Sequence, residues 1–144
     1  MIAGDDRSRL EGSRTVITIA MSVVVGSPRA QVWRALTDPR EIAERDAASG
    51  NGGAIDAPPD YPKPGQHVRW KYRLGGVPTT LHDRPIEVTP GERLRSLIEL
   101  GALHFDETWT LMVDPAHPED TRLALKLVAS NATAVVGGVI DRFE

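Results

Sequence analysis

The chain has 144 residues, no cysteine and a formal net charge of −3 with both signs interspersed. That length suits one domain, with roughly two-thirds of the unfolded chain's surface removed from water on folding, so no staple is needed. The composition excludes disulfides, thiolate metal sites and cysteine nucleophiles, and it offers no basic field for nucleic acid or an anionic membrane. The absence of cysteine also suits a reducing compartment, and the expected location is cytoplasmic.

Residues 1–13 are charged and glycine-containing, and they read as a flexible leader without the basic region and apolar run of a secretion signal. The stretch from Val16 to Val25 is broken by Thr18 and Ser22 and is about half the length of a membrane-spanning helix. From Thr15 to Val25 the residues alternate, with Ile17, Ile19, Met21, Val23 and Val25 on one side, which predicts a half-buried strand. Gly26-Ser27-Pro28 ends it. Ser27 is placed to cap a helix, and Ala30, Val32, Trp33 and Leu36 give that helix an apolar stripe. Asp38-Pro39 closes it and opens a second, short helix to about Ala48.

Ser49 to Gly65 carries three glycines before Pro58, Pro59, Pro62 and Pro64, and it reads as a loop with a brief edge strand near Ala54 to Ala57. Connections of this length inside a small domain often serve as lids or binding loops. A meander follows. Val68, Trp70, Tyr72 and Leu74 alternate with Arg69, Lys71 and Arg73, and Gly75-Gly76 turns the chain. Further strands are expected over 79–88, 93–100, 103–113 and 121–129, with 115–120 as a loop. Turns about every dozen residues mark hairpins and not parallel crossovers. Asn131 or Thr133 opens a last helix whose Val135, Val136, Val139, Ile140 and Phe143 face the sheet. The expected class is α+β: a curved antiparallel sheet wrapped around a C-terminal helix, with two short helices after the first strand and an apolar cavity beneath the last helix.

Three segments carry a resemblance. The run Val23-Val24-Val25-Gly26-Ser27-Pro28 through Val32-Trp33-Arg34-Ala35-Leu36-Thr37-Asp38-Pro39 resembles the opening strand and first helix of the START/Bet v 1-like (SRPBCC) superfamily, including its polyketide cyclase/dehydratase-like and Aha1-like branches. Val88-Thr89-Pro90-Gly91-Glu92-Arg93-Leu94 resembles a central turn of that superfamily, and Trp109-Thr110-Leu111 with Asp120-Thr121-Arg122-Leu123 resembles its last hairpin. The resemblance covers residues 14–144 as a single domain and implies a helix-grip fold around a ligand cavity. Its members bind lipids, polyketides or aromatic metabolites; some catalyse cyclisation or dehydration without a cofactor, and others bind proteins. The stretch after Asn131 is shorter than that family's last helix, which a truncated end or a homodimer partner closing the cavity would accommodate.

Alternation assigns the cavity wall. Trp70, Tyr72, Phe105, Glu107, Trp109, Leu111 and Leu125 point inward, and Val136 and Ile140 face them from the last helix. Counting back from Ile86 and Val88 puts Arg84 and His82 on the same face, although a slip of one residue reverses such an assignment. Glu107 is the candidate acid or base with His82 or Tyr72 assisting, and Arg84 orients an oxygen; alternatively Glu107 and Arg84 form a structural pair. The four histidines lack metal-ligand spacing, so no metal site is expected. The expected partner is a hydrophobic small molecule, bound by a carrier or turned over by an enzyme; a protein-binding module is a third reading.

Overall fold

The computed structural model describes residues 16–47 and 53–129. One strand, two helices and then five strands follow in chain order: β1 (Ile17–Val25), α1 (Arg29–Thr37), α2 (Pro39–Ala47), β2 (Val68–Leu74), β3 (Val77–Thr89), β4 (Arg93–Leu100), β5 (Leu103–Asp114) and β6 (His117–Ala129). The strands form one antiparallel sheet in the order β1-β6-β5-β4-β3-β2. Strands β2 to β6 are a plain meander, and β1 closes the far edge against β6, with Ile19 opposite Leu127.

Turn chemistry sets the registers. Leu74 pairs with Val77, which leaves Gly75-Gly76 as a two-residue loop with φ of 58° and 80°, the left-handed pair that matches the twist of the flanking strands. The hairpin from β5 to β6 is tighter than its sequence suggested. Asp114 pairs with His117 across Pro115-Ala116, and the Asp114 carboxylate accepts the Ala116 N–H at 3.0 Å, so the expected 115–120 loop is mostly strand. Registers slip between Pro85 and Glu87 in β3 and between Met112 and Asp114 in β5. Each bulge bends its strand and curves the sheet.

One face of the sheet carries the core. Val68, Leu100 and Leu127 are almost fully enclosed, with Ile98, Phe105 and Leu125 around them and Ile42 of α2 packed on top. Helix α1 rests on β5 and β6. Ser27 does not cap it as expected. Pro28 occupies the cap position in an extended conformation, and its carbonyl accepts the N–H groups of Gln31 and Val32. The Ser27 carbonyl instead accepts the hydroxyl of the enclosed Thr121 at 2.8 Å, tying the start of α1 to β6. Asp38 performs its expected role: its carboxylate accepts the Arg40 N–H at 2.8 Å at the head of α2. The leader and the last helix, with Val136 and Ile140, lie outside the described residues.

Candidate functional site

The concave side of β2 to β5 meets α2 and the loop before β2 around a cavity of about 120 Å3. Its apolar walls include Leu36, Ile42, Leu81, Leu94 and Ile98, and its aromatic walls Tyr61, Trp70, Tyr72 and Trp109. Asp83, Ser96 and Glu107 form a polar stripe across three neighbouring strands. Ser96 of β4 stands directly opposite Glu107 of β5, and Asp83 of β3 lies one inward position along from the Pro85–Ser96 pair.

Both carboxyls are deeply enclosed, each with 5% of its surface exposed. Asp83 Oδ2 accepts the Tyr61 hydroxyl at 2.6 Å and the Trp70 indole N–H at 3.1 Å. The Ser96 hydroxyl stands beside this carboxyl on the neighbouring strand and favours its charged form. Asp83 Oδ1 is buried with no hydrogen-bond partner among the described residues. Glu107 Oε1 accepts the Trp109 indole N–H at 3.0 Å. Burial disfavours the charged form of Asp83 and the nearby Glu107 charge adds to that, so its pKa is raised against the opposing pull of the Tyr61 and Trp70 hydrogen bonds and the neighbouring Ser96 hydroxyl. Oδ2 is occupied by the Tyr61 and Trp70 donors, and Oδ1 is the oxygen left open toward the cavity wall. The cavity wall thus carries two enclosed carboxyls on neighbouring strands.

The inward assignments on β2, β5 and β6 hold. Trp70, Tyr72, Glu107 and Trp109 line the cavity, while Phe105, Leu111 and Leu125 face the same side but are buried in the surrounding core. On β3 the assignment reverses. Val88 does face inward opposite Leu94, but the bulge between Pro85 and Glu87 adds one residue and flips the phase. Leu81, Asp83 and Pro85 are therefore the buried set, and His82 and Arg84 stand on the outer face. His82 Nδ1 shares a 2.8 Å hydrogen bond with His67 Nε2, and Arg84 lies 3.8 Å from Glu99 instead of pairing with Glu107. Arg84 helps to hold the His67 pKa below its usual value, after partial desolvation of that ring. His82 and Arg84 are thereby removed from any chemistry in the cavity.

Sequence reasoning missed Asp83, Ser96 and Tyr61. Pro85 was the available signal for Asp83, because proline inside a strand marks an edge or a bulge. Tyr61 carried no signal, since loop residues have no periodicity to assign them. Among the described residues, no group of three or more metal-ligating side chains is disposed to hold an ion, and no helix is long and apolar enough to cross a membrane.

No family model matches the sequence, and no curated protein matches it. Solved structures do match the fold. Protein Ms6760 from Mycobacterium smegmatis superposes with a TM-score of 0.70 at 16% identity, covering 85% of this chain and 81% of that one. The ZhuI aromatase/cyclase from Streptomyces sp. R1128 gives 0.60 at 17% identity, over 80% of this chain and 68% of its own. A START superfamily protein from Mycobacterium smegmatis gives 0.60 at 10% identity, over 78% and 75%. The curved six-stranded antiparallel sheet, with its first strand at one edge and two short helices packed on it, is a fold shared with this START superfamily protein and this aromatase/cyclase.

Proposed function

We propose that the protein binds a small, partly apolar molecule carrying an oxygen or nitrogen function in the cavity beneath the sheet. The observation that carries this reading is Asp83 Oδ1, a buried carboxyl oxygen without a partner in the wall of a cavity otherwise lined by rings and aliphatic side chains. Leaving such an atom unsatisfied costs about 1–3 kcal/mol, which a ligand bearing the complementary group would recover. The volume sets a size. About 120 Å3 corresponds to roughly four waters or one six-membered ring, well below the ~300 Å3 at which drug-sized pockets begin. A ring-sized portion of a ligand fits, and a sterol does not unless a wall moves. The lack of cysteine supports setting this binding in the cytoplasm.

The test is native mass spectrometry of protein purified from its own cells, followed by organic extraction. A small molecule at one per chain, lost from a Ser96→Phe variant that fills the cavity, is the expected result. A ligand retained by the folded Ser96→Phe protein would place binding elsewhere and end this reading.

A second reading is supported by the two enclosed carboxyls in one cavity. Asp83 is held toward its neutral form, and Glu107 stands within reach of its field. Two carboxyls facing one cavity can divide proton donation and acceptance, as cofactor-independent enolisation, cyclisation or dehydration requires. Incubating the extracted ligand with protein in D2O distinguishes enzyme from carrier. Deuterium incorporated next to a carbonyl, and abolished by Glu107→Gln, would make it an enzyme; no incorporation leaves it a binder.

A further inference from the structure

The loop from Gly53 to His67 is fastened at both ends. Lys71 N–H donates to the Gly53 carbonyl at 3.1 Å and Ile55 N–H to the Arg69 carbonyl at 2.8 Å, which lays the first end along the edge of β2. The Asp56 carboxylate clamps Arg69 at 2.8 Å on the same edge. At the other end Gly65 N–H donates to the Pro85 carbonyl at 3.2 Å, beside the bulge. Between these anchors the chain arches over the cavity. Pro59, Asp60, Lys63 and Pro64 are exposed, while Tyr61 turns inward among them and reaches the enclosed Asp83. Its ring stands edge-on to Trp70, with centroids 5.5 Å apart at 72°.

Tyr61 thus places a phenol on a buried carboxyl and against an indole, in the wall of the cavity. Those are the contacts a hydroxylated ring would make. Resting on the reading that the cavity binds small molecules, we propose that Tyr61 is the gate of the cavity and that its phenol holds the place of the ligand's own hydroxyl. The site takes a small hydroxylated aromatic compound whose O–H donates to Asp83 once the 57–64 arch swings aside. The fixed anchors at Gly53–Asp56 and Gly65 let the arch move without unpairing the sheet. Displacement exchanges one phenol–carboxyl hydrogen bond for another, and a ligand lacking the hydroxyl would leave Asp83 with the loss uncompensated.

The probes are p-cresol and toluene, which have the same ring and methyl group and differ by the hydroxyl. The chain has two tyrosines, so 3-fluorotyrosine labelling gives two resonances, and Tyr72→Phe assigns the one from Tyr61. Saturating p-cresol is expected to move the Tyr61 fluorine resonance of the wild type to its solvent-exposed position. Binding of p-cresol should be at least tenfold tighter than that of toluene. Tyr61→Phe keeps the ring but loses the latch, and it should bind p-cresol several-fold tighter than the wild type; Tyr61→Ala should bind it at least tenfold tighter. Binding of p-cresol with the Tyr61 resonance unmoved overturns the gate while leaving the cavity reading intact. Equal affinity for toluene overturns the hydroxyl subsite. Absence of p-cresol binding to the wild type, whether or not Tyr61→Ala takes it, also overturns the gate, and the extraction experiment above then decides the cavity reading separately.

Discussion

The two faces of the sheet treat the same side chain in opposite ways. Asp83 of β3 points inward, where burial and the charge of Glu107 raise its pKa. Asp106 of β5 points outward, where two hydrogen bonds to the Arg95 guanidinium at 2.7 and 3.0 Å hold its pKa down despite some desolvation. The outer carboxylate belongs to a network that continues from Arg95 to Glu87 and from Glu87 to Arg93, and its charge is shared among solvated partners. The inner one is satisfied on Oδ2 by neutral donors and left open on Oδ1. Networks of the first kind contribute little to stability and are screened by salt. An arrangement of the second kind costs stability, and the fold tolerates it where a ligand or a proton is handled. The proposed binding function rests on the concave face, where the carboxyls are enclosed.

The largest expected effect tests the faces as packed layers. Leu127 is 1% exposed on the inner face and Leu97 is 43% exposed on the outer one. Leu127→Ala is expected to destabilise the protein by about 2–5 kcal/mol, and Leu97→Ala by no more than about 0.5 kcal/mol, in denaturant titrations. Similar losses at both sites would mean that the outer face is also covered.

The next effect concerns pH and has opposite signs on the two faces. A carboxyl whose pKa is raised by folding binds more protons in the folded state, so stability falls as pH climbs from the ordinary aspartate value of 3.8 through the raised one. Relative to Asp83→Asn, the wild type should lose stability across that window, by at most about 1.4 kcal/mol per pH unit. A flat difference between the two proteins would mean that folding does not raise the Asp83 pKa. Asp106 has the reverse linkage: its contribution is present above 3.8 and is lost as pH falls through its lowered value. Asp106→Asn should therefore matter only on the neutral side, with the smallest change of the set, and 1 M salt should erase it.

Much of this arrangement was legible in the chain. The period of two on β2 and β5 assigned Trp70, Tyr72, Glu107 and Trp109 to the cavity, because an uninterrupted strand keeps its phase. The glycine pair at 75–76 marked its hairpin, because two left-handed residues are tolerated there at little cost when both lack a side chain. On β3 the same counting failed for a physical reason. Phase information passes along a strand only as far as the next bulge, and Val88 and Asp83 lie on opposite sides of one. His82 and Arg84 were consequently assigned to the cavity when their partners are His67 and Glu99 on the outer face. Tyr61 was illegible for another reason. Its position depends on where a 13-residue-scale arch returns to the sheet at Pro85, a long-range contact without local signature, on the order of the loop lengths that usually carry function.

The inward placement of Asp83 carries both the proposed site and its gate. It is tested most directly by 13C NMR titration of the side-chain carboxyls, with Asp106 as the internal reference. Asp83 is expected to titrate above 3.8 and Asp106 below it, with Glu107→Gln drawing Asp83 back toward the ordinary value. An Asp83 resonance that titrates at or below 3.8 and ignores Glu107→Gln would put this carboxyl in solvent on the outer face and contradict the account.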